Sequence, residues 1–184
     1  MDNGYIYVIV TQTGTVLSRI LKLFTHARYN HASVSDDETL ESMYSFGRLN
    51  PYNPFHGGFV REGKSVGTFK RFRNTEAVVI AIPVSKELCE DFRRDVSEMY
   101  GHRQDYAYNY RGLFLAAFGV AAKTPNAFYC SEFVRYILER HEVISEGTFS
   151  GIVRPTDFLQ IEGSKIIYRG KLRNFRARPR IARA

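Results

Sequence analysis

A single cysteine, Cys130, stands at the start of a segment with the spacing of an amphipathic helix. The apolar residues after it recur at intervals of three and four and predict one buried helical face: Phe133, Val134, Ile137 and Leu138. The positive end of a helix favours the thiolate, which is the nucleophilic form of cysteine. Cys130 is therefore a candidate nucleophile, although a small apolar packing role is commoner for a lone cysteine.

A cysteine nucleophile needs a general base, and histidine titrates closest to neutral pH. The chain has five histidines: His26, His31, His56, His102 and His141. Three of them, His26, His102 and His141, lie at polar or charged positions that are expected at the surface, and His56 lies in a Pro/Gly-rich loop. His31 begins a predicted strand, and rigid elements hold catalytic geometry better than loops do. We therefore take His31 as the preferred base, with a purely structural histidine as the alternative.

Strands and helices are predicted on both sides of these two residues. Residues with β-branched, aromatic or alternating patterns predict strands at 5–10, 31–35, 40–46, 77–84 and 165–170. Apolar spacing predicts helices at 16–24, 85–100, 112–122 and from 130 onwards, with a turn or short helix at 154–158. The apolar run 112–122 is too short to cross a bilayer, which takes about 20 residues, so it is predicted to be a buried helix. The Gly- and Pro-rich residues 47–75 predict a long loop at a cleft, with one short strand at 59–60.

Length and composition predict one globular domain, and the thiol chemistry expected of Cys130 calls for no metal or organic cofactor. The 184 residues, 44% of them hydrophobic, suffice for a sizeable core. The two cysteines, Cys89 and Cys130, form no C-x-x-C pair, so neither a disulfide framework nor a zinc site is predicted. Cys89 lies on a predicted helix and is interpreted as structural. The N-terminal residues lack a signal-peptide pattern, which predicts a cytoplasmic location.

Positive charge is concentrated at the C-terminal end of the chain. The formal net charge is +7. The basic residues of this end are Arg169, Lys171, Arg173, Arg176, Arg178, Arg180 and Arg183. We divide the chain into a domain at 1–172 and a basic tail at 173–184. Such a tail is a candidate for contact with nucleic acid or an anionic membrane, although most basic tails are only solvated chain ends.

The order of these motifs resembles the circularly permuted branch of the NlpC/P60 papain-like superfamily. That branch includes the YiiX/YebB-like proteins and, more distantly, lecithin retinol acyltransferase-like enzymes. The matching segments are Tyr-Asn-His-Ala-Ser-Val-Ser around His31, the returning strand Met-Tyr-Ser-Phe-Gly-Arg, and Phe-Tyr-Cys-Ser-Glu-Phe-Val around Cys130. His31 precedes Cys130, which reverses the usual papain-like order, and a permutation explains the reversal. The resemblance extends from Tyr5 to about Leu172.

The resemblance implies a fold and a set of site residues. The fold is α+β, with a small antiparallel sheet or half-barrel packed against helices that include the cysteine helix. Cys130 is the implied nucleophile, His31 the base, and Tyr129 matches a position near the oxyanion site, where the backbone N–H of Cys130 would donate. In the family a polar residue on the next strand orients the imidazole. Ser45 matches that position, with Glu41 as the alternative, although serine cannot stabilise an imidazolium as a carboxylate does.

These expectations describe a cysteine hydrolase that works through an acyl-enzyme. It would be a peptidase or amidase, or an acyl hydrolase or transferase, and its substrates would be small peptides, amides or lipid acyl groups. The alternative is a catalytically weak or inactive binding module that docks on anionic lipid or nucleic acid through its basic surface. A redox-sensor role for Cys130 is a weaker alternative, because no resolving cysteine is evident.

Overall fold

A computed structural model describes residues 3–13, 28–50, 52–53 and 55–177 of the chain. The strands, in chain order, are β1 (Asn3–Gln12), β2 (His31–Ser35), β3 (Met43–Arg48), β4 (Gly57–Glu62), β5 (Glu76–Ser85), β6 (Ala107–Tyr108), β7 (Ala127–Phe128) and β8 (Lys165–Lys171). The helices are α1 (Gly67–Arg71), α2 (Lys86–Gly101), α3 (Tyr110–Ala117) and α4 (Cys130–Arg140). Short 3-10 helices lie at Arg103–Asp105, Pro155–Gln160 and Leu172–Asn174.

Six of the strands form one sheet in the order β4-β3-β2-β1-β5-β8. Every neighbouring pair in this sheet is antiparallel. Strands β6 and β7 form a separate parallel pair. Helices α2 and α4 pack on the sheet, so the predicted α+β class, with an antiparallel sheet against helices, is confirmed.

Both faces of the sheet are covered by apolar side chains. In β1, Ile6, Val8 and Val10 belong to the larger core cluster, which also contains the buried faces of α2 and α4. The alternate residues Tyr7 and Ile9 belong to a second cluster on the other face. This alternation is what a strand produces, since successive side chains point to opposite faces. The sheet is therefore a rigid support for the residues at its strand ends.

Helix α4 is held in place by its first two turns. The Phe133 ring lies 5.4 Å from the ring of Phe46 and 4.9 Å from that of Phe59, so it packs directly on β3 and β4. Buried aromatic pairs of this kind contribute about 1 kcal/mol each beyond their burial. Ser131 Oγ donates a 2.7 Å hydrogen bond to the carbonyl of Val153. The start of α4, and with it Cys130, is thus fixed from two sides.

Most of the predicted elements are confirmed. The strands at 5–10, 31–35, 77–84 and 165–170 correspond to β1, β2, β5 and β8, and the helices predicted from 85 and from 130 are α2 and α4. Ser85 caps α2 as its side chain accepts a hydrogen bond from Leu88 N. The helix predicted at 16–24 lies outside the described residues.

Two segments differ from the prediction near the site. Strand β3 begins at Met43 and not at 40, because Leu40 has a φ of 58° and the Asp37 carboxylate accepts hydrogen bonds from the backbone of Thr39 and Glu41, which makes a turn. The prediction of a long loop at 47–75 is wrong for the second half of this segment, where β4 and α1 form. Residues 59–60 are the centre of a six-residue strand.

The apolar run at 112–122 is not a buried helix. Helix α3 ends at Ala117, and Gly119 follows with a φ of 78°, the left-handed conformation that terminates helices. Phe114 is 66% exposed and Phe118 61% exposed. None of the helices in the described ranges combines the length and the hydropathy that a bilayer span requires.

The packed part of the chain continues past β8. Leu172 and Phe175 are both buried in the second core cluster. Of the basic residues predicted to form a tail, Arg173 and Arg176 are exposed, and those at 178–184 lie outside the described residues.

Candidate active site

His31 and Glu62 form a carboxylate–imidazole pair across the sheet. His31 begins β2 and Glu62 ends β4, two strands away. His31 Nε2 lies 2.9 Å from Glu62 Oε2, and the two side chains are only 15% and 10% exposed. Ser33 Oγ donates a 2.8 Å hydrogen bond to the same carboxylate oxygen. The imidazole is therefore oriented by a buried acidic group that is itself fixed by a hydroxyl.

Gly47 of the intervening strand β3 lies close to both side chains of the pair. A methyl group on Gly47 would lie 3.5 Å from His31 Cε1 and 3.5 Å from Glu62 Oε1, which are ordinary contact distances. It would lie 3.2 Å from Val60 Cγ2, closer than most real contacts of this type. A small side chain at position 47 would therefore fit against the pair, and only Val60 would have to shift.

The positive charge of His31 and the negative charge of Glu62 stabilise each other. Burial by itself would lower the pKa of His31, but the Glu62 carboxylate and hydrogen bonds to Cys130 and Glu62 outweigh burial and raise this pKa to about 10. Burial would raise the pKa of Glu62, but the charge of His31 and the hydrogen bonds from His31 and Ser33 bring it below the usual value. At neutral pH the pair is therefore an imidazolium next to a carboxylate.

Cys130 lines the same cleft as His31 and Glu62. The thiol is close enough to the imidazole to contribute to the raised pKa of His31, through a hydrogen bond and through its charge. Because Nε2 of His31 is used by Glu62, Nδ1 is the ring nitrogen left for the thiol. The predicted pair of Cys130 and His31 is thus brought into one cleft.

The start of α4 holds Cys130 through its neighbours. Cys130 is the first residue of the helix, where backbone N–H groups have no partner within the helix. Glu132 Oε2 accepts hydrogen bonds from Tyr129 N and from Asn109 Nδ2, both at 3.1 Å. Asn109 in turn caps α3, with Oδ1 accepting a 2.8 Å bond from Gly112 N. The cysteine therefore lies where a helix end and a short side-chain network meet.

Tyr108 is a further polar residue of the cleft that contains Cys130. The β6–β7 pair aligns Tyr108 with Phe128, two residues before Cys130. Burial, followed by the negative charges of Cys130 and its neighbours, raises the pKa of Tyr108 well above its ordinary value, so the hydroxyl keeps its proton. Its ring packs on Gly57, where an added methyl group would lie 2.8 Å from ring carbons. Tyr108 thus presents a fixed hydrogen-bond donor in the cleft.

Tyr129 lies on the other side of Cys130. It is buried, and it lines a second cleft together with Cys130. Burial, followed by the charges of Glu132 and Cys130, raises its pKa. Its backbone N–H is bonded to Glu132. The structure therefore places Tyr129 beside the sulfur, with its backbone N–H already used.

The second cleft is mainly apolar and meets the first at Cys130. Its lining combines α3 with the segment that leads into the 3-10 helix Pro155–Gln160, and includes Leu113, Ala116, Ala117, Ile152, Val153 and Pro155. The first cleft carries the polar groups His31, Glu62, Arg48 and Tyr108. A bound molecule with a polar and an apolar part can therefore extend to both sides of the sulfur.

Ser45 does not orient the imidazole, so that prediction is wrong. Its hydroxyl is fully buried and donates a 2.6 Å hydrogen bond to the Ala32 carbonyl. Glu41, the alternative, lies 3.5 Å from Lys64 Nζ at the surface. Glu62 has the orienting role instead, because β4 continues past the residues that were predicted as strand.

The other candidate residues are in separate places. Cys89 is buried on α2 with Sγ 3.7 Å from the Tyr5 carbonyl, and burial raises its pKa, in agreement with a structural role. His102 and His56 are exposed. His141 was expected at the surface, but its side chain is 13% exposed and lies 2.9 Å from Asp95. His26 lies outside the described residues.

The sequence contained a weak signal for Glu62 and almost none for Tyr108. In the alternating stretch 57–62, Val60 and Glu62 fall on one face, so a strand prediction there would have placed a carboxylate beside β3. The eight residues between β3 and β4 leave the register undetermined, and only the fold shows which residue reaches His31. Tyr108 reaches the site through a two-residue strand, too short for any periodic pattern.

Comparisons with protein-family models, with curated proteins and with solved structures find no match. Among the described residues, no cluster of histidine, cysteine and acidic side chains has the composition of a metal site.

Proposed function

We propose that this protein is a cysteine hydrolase or acyltransferase with a Cys130–His31–Glu62 triad, on a permuted papain-like fold of the NlpC/P60 type. The observation that carries the proposal is the buried Glu62–His31 pair in the same cleft as Cys130, which begins a helix. The order acid, imidazole and nucleophile is that of a catalytic triad, which is recognised by geometry and not by sequence position.

In the resting site the His31 imidazolium favours the thiolate of Cys130. The sulfur attacks the carbonyl carbon of an amide or ester, and a bond from sulfur to carbon forms. The negative charge that develops on the carbonyl oxygen is stabilised by the backbone N–H of Cys130 and the hydroxyl of Tyr108. His31 donates its proton to the leaving nitrogen or oxygen, and the acyl group remains on Cys130.

The second half of the reaction restores the site. Neutral His31 now accepts a proton from water or from another acceptor, whose oxygen or nitrogen attacks the thioester. The sulfur leaves as the thiolate and His31 is again protonated. Glu62 stays ionised throughout and keeps the ring in place, as the acidic member of a triad does.

The proposal is tested by locating the acyl group. The full chain is incubated with p-nitrophenyl esters of short and long acids and with p-nitroanilides, quenched in acid, and examined by peptide mass spectrometry. The proposal expects an acyl adduct on Cys130 that is absent in Cys130→Ala and retained in Cys89→Ala. Acylation of Cys89 alone, or of neither cysteine with any of these probes, would contradict it.

Tyr108→Phe separates stabilisation of the oxyanion from reactivity of the thiol. Loss of one donor to the oxyanion costs about a hundredfold in rate, so we expect acylation of Cys130 to slow by about that factor. Alkylation by iodoacetamide forms no oxyanion and is expected to change by less than about twofold. Tyr110→Phe is the control at a neighbouring tyrosine, whose ring lies 4.5 Å from that of Tyr108. Equal effects of Tyr108→Phe on both reactions would contradict the oxyanion role.

A further inference from the structure

A patch of apolar side chains on α3 faces solvent. Phe114 is 66% exposed, Phe118 61%, Val120 50% and Tyr110 40%. The rings of Phe114 and Phe118 lie 5.1 Å apart and form one surface. Tyr110 and Phe114 are four residues apart and so lie on the same side of the helix. We refer to these four residues as the α3 patch. Such a contiguous group of large exposed apolar residues indicates a contact surface.

The charged residues that flank the α3 patch in the sequence are all positive. Between Asp105 and Glu132 the sequence contains no Asp or Glu, and its charged residues are Arg111 and Lys123. Both are exposed. Apolar and aromatic side chains flanked by cations are suited to a membrane interface that carries anionic headgroups. The same charges oppose pairing of two copies through this patch, because like charges would be brought together.

The position of α3 connects this patch with the site. Leu113, Ala116 and Ala117 of the same helix line the apolar cleft that meets Cys130. The eight residues of α3 span about 12 Å, so the helix can lie along a bilayer surface but cannot cross it. A bilayer surface in contact with the α3 patch would therefore lie next to the residues of α3 that line the apolar cleft.

We propose that the α3 patch docks this protein on the surface of an anionic bilayer. Phe114 and Phe118 enter the interface between headgroups and acyl chains, and Arg111 and Lys123 lie against the headgroup phosphates. This docking goes beyond the hydrolase proposal and does not depend on it, since no step involves the thiol of Cys130.

The test is co-sedimentation of the full chain with vesicles of phosphatidylcholine alone or of an equimolar mixture with phosphatidylglycerol. We expect tighter, salt-sensitive binding to the mixed vesicles. Phe114→Ser/Phe118→Ser is expected to weaken binding at least about tenfold. Arg111→Gln/Lys123→Gln is expected to weaken it about tenfold on mixed vesicles only. Matched controls on the edge strand β8, Ile166→Ser and Lys165→Gln/Arg169→Gln, are expected to bind like the wild type.

Three results would overturn the docking proposal. One is a wild-type chain that binds neither type of vesicle. Another is binding that survives Phe114→Ser/Phe118→Ser, which would assign the affinity to another surface such as the basic C-terminal residues. The third is a wild-type dimer in light scattering that the double serine variant converts to a monomer, which would make the patch a contact between copies. Cys130→Ala is expected to bind vesicles normally, so loss of catalysis and loss of docking can be told apart.

Discussion

His31→Ala is expected to slow acylation of Cys130 by about a thousandfold at neutral pH. The variant lacks both the cation that favours the thiolate and the proton donor for the leaving group, and general acid–base catalysis contributes about a hundredfold to ten-thousandfold. The effect is largest with p-nitroanilides, because an amine leaves poorly without a proton. The measurement is the rate of adduct formation on Cys130 in the Cys89→Ala background, followed by mass spectrometry.

The matched control for this experiment is His56→Ala. His56 is exposed on the loop between β3 and β4, so its removal is expected to leave the acylation rate within about twofold of the wild type, as for ordinary surface changes. Circular dichroism and thermal unfolding establish that both variants fold. A folded His31→Ala variant that keeps a tenth or more of the wild-type rate would contradict the assignment of His31 as base.

Glu62→Gln is expected to lower both the acylation rate and the stability. The amide keeps the size of the side chain but removes the charge that holds His31 protonated, and loss of such an orienting group costs about tenfold to a hundredfold in activity. A charged hydrogen bond in a buried pair contributes about 2 kcal/mol, so the melting temperature is expected to fall by roughly 4–8 °C in a chain of this size.

The pH dependence of stability gives Glu62 a distinct signature. Because its pKa in the folded chain lies below the ordinary value of 4.5, the contribution of the Glu62 carboxylate is present above that pH and is lost as the pH falls through the lowered pKa. The contribution of His31, whose pKa is raised to about 10, is lost as the pH rises towards that value. The difference in melting temperature between wild type and Glu62→Gln is therefore expected to be large at neutral pH and to disappear in acid.

Two variants control for the Glu62 experiment. Glu41→Gln makes the same chemical change at an exposed position next to Lys64, and Ser45→Ala removes the hydroxyl that bonds to Ala32. Neither is expected to change the acylation rate by more than about twofold, since the hydrogen bonds of these two side chains go to Ala32 and Ser65 and not to His31. If Ser45→Ala lowers the acylation rate as much as Glu62→Gln does, the assignment of Glu62 as the residue that orients His31 is contradicted in favour of Ser45.

Local sequence patterns predicted the two reacting residues and most of the elements that carry them. Cys130 was found from the helical spacing after it, and His31 from the alternation of β2. Both are short-range signals, because the periodicity of a helix or strand is visible within a few residues. The α+β class was implied by the resemblance to the permuted NlpC/P60 branch, while the individual strands and helices followed from these local patterns.

The residues that depend on packing between distant segments could not be predicted in this way. Glu62 and Ser45 lie on the same face of neighbouring strands, and which of them reaches His31 depends on strand register. The exposure of Phe114 and Phe118 was missed for a related reason. An apolar run is ordinarily buried, and only the turn at Gly119 and the packing of α3 show that these side chains face solvent.

The most direct test of the account is the pH profile of Cys130 alkylation by iodoacetamide in the Cys89→Ala background, with and without His31→Ala. The account predicts that the wild-type thiol is alkylated faster than that of the His31→Ala variant throughout the neutral range, because the His31 imidazolium favours the nucleophilic thiolate. Equal rates with and without His31 at every pH of this range would contradict the triad.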